Sequence, residues 1–153
     1  MDIEVLSYSK TLPDFLKGAA KFYAKELGLE KSTYKVFIVT DPHLKKDGSN
    51  GVCAKTGDRE ITIALYSRLS VIKMMYTLAH EMVHVKQIAK GQYKHETKRG
   101  AIHHYWMGKR VKASYLKRPW EIEAFSRESL LVETLGDFFT KKMQKGKKGK
   151  KKI

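Results

Sequence analysis

Hydrophobic residues recur at two different spacings along this chain, and the switch between them predicts an α+β domain. Phe15, Leu16, Ala19, Ala20, Tyr23, Ala24 and Leu27 repeat at the three- and four-residue intervals of one helix face. Thr11 stands where an N-cap belongs, Asp14 supplies a carboxylate three residues on, and Gly28 is placed to end the helix. Val36-Phe37-Ile38-Val39 is a β-branched and aromatic run that reads as a strand. Residues 43–50 are rich in Lys, Gly and Asn and read as a loop. Residues 51–55 and 60–65 read as two more strands joined by Thr56-Gly57-Asp58-Arg59. In the second of them Ile61, Ile63 and Leu65 alternate with Glu60, Thr62 and Ala64, the pattern of a half-buried strand.

Ser70 is placed to cap a helix that runs to about residue 90 and stops near Gly91. From Thr77 to Val85 every residue is apolar except Thr77, His80, Glu81 and His84. A helix apolar on nearly all sides belongs at the centre of a fold. Residues 92–104 read as polar and irregular, and residues 105–111 as a short hairpin turning at Gly108-Lys109. Pro119 suits the first position of a long helix over residues 119–142. The expected fold is an N-terminal helix, a three- to four-stranded sheet, a central helix, a hairpin and a long closing helix. One domain over residues 1–142 accounts for all of it. Residues 143–153, rich in Lys and Gly, are expected to be disordered.

The central helix carries His80-Glu81-Met82-Val83-His84, an HExxH pattern. Positions i and i+4 share a helix face, so both imidazoles can reach one metal ion. Glu81 projects about 100° round from His80, where it can meet an attacking water. Burying two imidazoles and a carboxylate costs several kcal/mol unless each finds a partner, and a metal ion would satisfy all three. A catalytic zinc takes three protein ligands and keeps one position open. Glu121, Glu123, Glu128, His95, His103 and His104 are the candidates for the third. Glu121 shares a helical face with Ala124, Phe125, Glu128, Leu131, Val132 and Leu135, whereas Glu123 lies with Arg127, Thr134 and Lys141. Helical phase therefore favours Glu121, with Glu128 able to orient a histidine ligand through its other nitrogen. His103 or His104 would instead give a three-histidine site, or, with Tyr105 or Tyr115, stabilise an oxyanion. His43 and His95 read as surface residues.

Composition narrows the setting. The chain has 153 residues and is 42% hydrophobic, enough for one real core. No segment approaches the ~18–20 apolar residues of a membrane span. The opening MDIEVLSYSK lacks the order of a secretion signal, so a cytoplasmic location, the host's cytoplasm if the chain is phage-encoded, is expected. Cys53 is the single cysteine, which excludes an intrachain disulfide and a Cys-rich zinc site. The net charge is +15, and eight lysines of the last thirteen residues account for more than half, leaving +7 on residues 1–140. Such a tail reads as a solvated segment or as a nonspecific tether to nucleic acid. Trp106, Tyr105 and Tyr115 lie among Lys109, Arg110, Lys112, Lys117 and Arg118, a mixture that suits backbone contact plus base stacking.

HEMVHVKQ at residues 80–87, Trp-x-Gly-Lys at 106–109, Tyr115 and PWEIEAF at 119–125 together resemble small phage-encoded HExxH metallopeptidases described as SprT-like. The Glu-x-x-Ala spacing of Glu121 and Ala124 is also similar to ImmA/IrrE-type metallopeptidases. In those a glutamate on the helix after the motif helix is the third zinc ligand, a role that falls by position on Glu121. The resemblance covers roughly residues 34–130 and implies a minimal zincin fold. Two departures stand out: Phe125 follows Ala124 where a small polar residue is usual, and no His-Gly pair occurs. The expected activity is zinc-dependent hydrolysis of peptide bonds in a protein substrate, with Zn²⁺ on His80, His84 and Glu121 and with Glu81 as general base. The strand at 60–65 is expected to offer its edge to an extended peptide. The alternative is a nucleic-acid-binding phage protein with a structural or degenerate zinc site.

Overall fold

Two parallel ladders and one antiparallel ladder make the larger of two sheets. A computed structural model describes residues 1–7, 12–47 and 49–150. In it β1 (Asp2–Leu6), β2 (Lys35–Asp41), β3 (Gly51–Gly57) and β4 (Glu60–Tyr66) form a sheet of order β1-β2-β4-β3. Ile3 aligns with Val36 and Val36 with Ile61, and both ladders are parallel; β3 returns antiparallel along β4. Ile3, Val36, Ile38, Ile61, Ile63 and Leu65 all point to one face and are buried there. Helices α1 (Leu12–Glu26) and α2 (Val71–Ala89) complete that core through Leu16, Ala19, Ala20, Tyr23, Leu78 and Met82. The Tyr23 hydroxyl donates to the Met75 carbonyl at 3.3 Å and ties the two helices together. The fold class is the α+β arrangement expected from the pattern. Among the described residues no helix is long and apolar enough to cross a membrane.

Three features depart from the sequence reading. Strand β1 is not among the expected elements: its alternation is short, with only Ile3 and Val5 toward the core, and Asp2 and Glu4 are of types disfavoured in strands. Parallel pairing with β2 and ion pairs from Lys35 to Asp2 and Glu4, at 3.9 and 3.3 Å, hold it in place. Residues 92–104 are not irregular: β5 (Tyr93–Lys98), β6 (Ala101–Trp106) and β7 (Lys109–Val111) form an antiparallel sheet. Its two connections, Arg99-Gly100 and Met107-Gly108, have positive φ at all four positions, as two-residue hairpin turns require. The second turn therefore falls one residue earlier than Gly108-Lys109. Finally, α3 (Pro119–Lys150) runs past residue 142. Straight-chain lysines lose little rotamer freedom in a helix, which suits this continuation. Thr11, the expected cap of α1, lies outside the described residues, while Ser70 caps α2 by accepting from the Lys73 amide.

Helix α3 crosses α2 with Ala124, Leu131 and Leu135 in the core, and farther along Phe138 and Phe139 pack on Phe22 and Phe15 of α1. Strand β4 is interior, between β2 and β3, so its edge is not available to a peptide; β3 is the edge strand beside α2. That exchange follows from the hairpin folding back on the outside of β4, which strand patterning alone does not reveal.

Candidate metal centre

One turn of α2 separates His80 from His84, and their rings stand edge-on with centroids 4.9 Å apart. Both are largely buried, with His80 at 8% exposure. The first turn of α3 brings Glu121 against them. Its Oε1 lies 2.7 Å from His84 Nε2 and its Oε2 3.6 Å from His80 Nε2. One ligand atom from each of the three residues fits within a 4.8 Å span. His103, His104 and His95 do not join them. His104 hydrogen-bonds the Tyr93 hydroxyl at 2.7 Å and packs against Trp120, His103 sits opposite Glu96 in the second sheet, and His95 is exposed.

The other ring nitrogens are committed elsewhere. His80 Nδ1–H donates to Glu128 Oε2 at 2.8 Å. His84 Nδ1–H donates to Gln87 Oε1 at 2.8 Å. Gln87 must present its oxygen to His84, because its amide nitrogen donates to the Trp120 carbonyl at 2.9 Å and to Glu123 Oε1 at 3.0 Å. Glu123 is in turn gripped by Lys86 Nζ at 2.8 and 2.7 Å. With Nδ1 donating in both rings, each Nε2 is left for a cation or for a proton shared with Glu121. Phase reasoning assigns Glu123 a place away from the metal position, and the structure gives it a bracing one. It did not single out Gln87 or Lys86. A buried glutamine and lysine next to an HExxH pattern on an apolar helix are the available signal.

Glu121 carries the strongest sign that a group belongs here. It is 5% exposed, and its Oε2 is buried without a hydrogen-bond partner among the described residues. A buried carboxylate oxygen left so is costly. A cation among two imidazole nitrogens and this oxygen would satisfy it, and the N,N,O donor set suits zinc. Burial alone would raise the Glu121 pKa, but the His80 and His84 imidazoles set against the carboxylate overcome it and hold the carboxyl at about 2. Burial likewise works to lower both histidines, yet the Glu121 carboxylate set against them and the charge of Glu81 raise them above their ordinary value.

Those shifts set a pH dependence. A raised histidine pKa stabilises the fold fully below about 6.5. That stabilisation is lost as pH rises through the folded-state values. Metal-free protein should therefore melt a few degrees lower at pH 8.5 than at pH 6, as read by calorimetry in chelator. Affinity for a metal ion at the cluster should rise over the same interval, because the ligands must be deprotonated. A flat or rising melting curve in chelator would contradict the pairing.

Glu81 is 6% exposed and lies beside the cluster without being part of it. Burial raises its pKa, opposed by the two histidines and reinforced by Glu121 and Glu128. Strand β3 begins directly over it. A Cβ on Gly51 would fall 2.6 Å from Thr77 Cγ2 and 3.2 Å from Glu81 Oε1. Thr77 is β-branched and stiff. Gly51→Ala should therefore cost about 1–3 kcal/mol and displace Glu81; an unchanged melting temperature would show the approach to be looser. Tyr115 flanks the cluster from the other side, its hydroxyl pushed up to about 12 by burial, by the charge of Glu121 and by a hydrogen bond with it. Phe125 lies edge-on against His80 with centroids 4.6 Å apart. A cavity of about 490 Å³ opens on the His80 side between Tyr76, Thr77 and Phe125. A smaller one of about 240 Å³ opens on the His84 side between Cys53, Ile88 and Tyr93.

The bracing bonds yield a further expectation. Glu128→Gln or Gln87→Leu should weaken metal binding about 10–100-fold, measured by chelator competition with added zinc as the probe, without removing a ligand. An unaltered affinity in both would show that the rings are held by packing alone. No family model, curated protein or solved structure matches this chain, so the buried His80–His84–Glu121 cluster, able to hold a metal ion, carries the functional reading by itself.

Proposed function

We propose that this protein is a zinc-dependent peptidase. The observation that carries the reading is the convergence of both Nε2 atoms on the Glu121 carboxylate, His84 Nε2 at Oε1 and His80 Nε2 facing the unpartnered Oε2, with Glu81 one position along the helix. Zinc at such a site lowers the pKa of a water toward neutrality and polarises the scissile carbonyl. Glu81 accepts the proton of the attacking water and returns it to the leaving amine; a carboxyl raised by burial is suited to both transfers. Tyr115, which lines both cavities, donates its hydroxyl proton in a hydrogen bond to the developing oxyanion. The free edge of β3 supplies backbone groups that hold an extended chain across the site. The resemblance to SprT-like and ImmA/IrrE-type metallopeptidases points the same way.

Incubation with a casein-like protein should yield fragments, stop with a chelator and resume with zinc. Cleavage indifferent to chelator would reject the reading. A second reading, binding to nucleic acid, is favoured by the register of the smaller sheet. Lys94, Lys98 and Arg110 fall on one face with Tyr105, with Glu96, paired with Lys98, among them. Trp106 lies on the other face, where it packs toward the buried Trp120 with centroids 6.4 Å apart. Binding through that basic face would weaken steeply with salt, and it would deliver the peptidase to DNA-associated proteins.

A further inference from the structure

Beyond the two cavities at the metal centre a third, of about 550 Å³, continues along β3. It shares Cys53, Ile88 and Tyr93 with the hollow beside His84, which in turn shares Gly51, Glu81 and Tyr115 with the one beside His80. The three hollows therefore follow the edge strand in order, from Gly51 through Cys53 to Lys55. Their chemistry changes along the way. The His80 end carries the rings of Tyr76 and Phe125 and a mixed charge, with Lys73 beside the carboxylates of Glu81 and Glu128. The far end is lined by Lys55, Lys94 and His95 and by no carboxylate. Neither lysine has an ion pair among the described residues, although Lys98, on the same strand as Lys94, is paired with Glu96 at 3.7 Å. Two unneutralised ammonium groups in a concave site favour an anionic partner.

Building on the peptidase reading, we propose that this groove selects an extended polypeptide with an acidic side chain about four residues from the scissile bond. The spacing comes from β3 itself. Gly51 lies against Glu81, and Lys55 is four residues on, about 13 Å at the rise of a strand. An added strand pairs more stably antiparallel than parallel. Antiparallel pairing with β3 puts the Lys55 end of the groove on the N-terminal side of the substrate. It puts the His80 end on the C-terminal side, where an apolar side chain fills the space between Tyr76 and Phe125.

The test separates this selectivity from the chemistry. Zinc-loaded Glu81→Gln protein is titrated with capped, otherwise uncharged peptides that carry one phenylalanine. A glutamate, or in a parallel set a lysine, is walked along the N-terminal half. Affinity should peak with glutamate about four residues N-terminal to the bond preceding phenylalanine, about tenfold tighter than with lysine there. The double variant Lys55→Glu, Lys94→Glu should reverse the order. Equal affinity for the two series, no peptide binding, or a preference unmoved by the double variant would overturn the proposal. Loss of single-stranded oligonucleotide binding in the double variant, with peptide binding unchanged, would overturn it in favour of nucleic acid. Hydrolysis by the wild-type protein is scored separately. Binding selectivity without cleavage of any peptide would sink the peptidase reading and leave the acidic preference standing.

Discussion

On the peptidase reading, Glu81→Gln should retain one zinc per chain and lose about 10³-fold in kcat. Glutamine keeps the size of the side chain beside Gly51 and Thr77, so the packing over the site is preserved. It removes only the capacity to accept and return a proton, an effect typically of 10²–10⁴-fold. Glu81 contributes no atom to the cluster of prospective ligands, so metal content should not change. Peptide hydrolysis and elemental analysis on the same preparation distinguish the outcomes. Wild-type turnover by the glutamine variant would remove Glu81 from the chemistry. Loss of zinc together with activity would make it a ligand instead of a base.

His84→Ala should act on the metal itself. It deletes one of three protein ligands, and zinc affinity should fall by about 10³-fold or more. The fold should suffer as well. Glu121 Oε1 loses its 2.7 Å partner and Gln87 Oε1 its imidazole donor, both in buried surroundings. Stranding such groups costs about 3 kcal/mol, visible as a lower melting temperature even in chelator. His80→Ala should lose zinc equally, but it strands the less buried Glu128 and so should destabilise the metal-free protein less. Undiminished zinc in either variant would refute the ligand set.

Local signals made much of this arrangement legible. The apolar run around His80 and His84 marks a central helix because a buried helix must be apolar on all sides, and α2 is that helix. The phase of α3 separates Glu121 from Glu123 because a 3.6-residue period assigns faces without any knowledge of the partner. What stayed hidden depends on pairing between distant segments. Strand β1 has only Ile3 and Val5 as core positions, and its place is set by Lys35 and β2, some thirty residues away. The smaller sheet carries polar residues on both sides, Lys94 and Glu96 on one face and His95 and Thr97 on the other, so no alternation of hydrophobicity announces it. That β3 rather than β4 lies at the edge is a matter of topology, which strand patterning does not encode. The brace of Gln87, Glu123 and Lys86 joins two helices and emerges only once they cross.

X-ray absorption at the zinc K-edge of stoichiometrically loaded protein tests the coordination most directly. Two histidine nitrogens and carboxylate and water oxygens at about 2.0–2.2 Å are the expected shell. A sulfur scatterer at about 2.3 Å, or a shell without imidazole, would place the metal elsewhere and contradict the account.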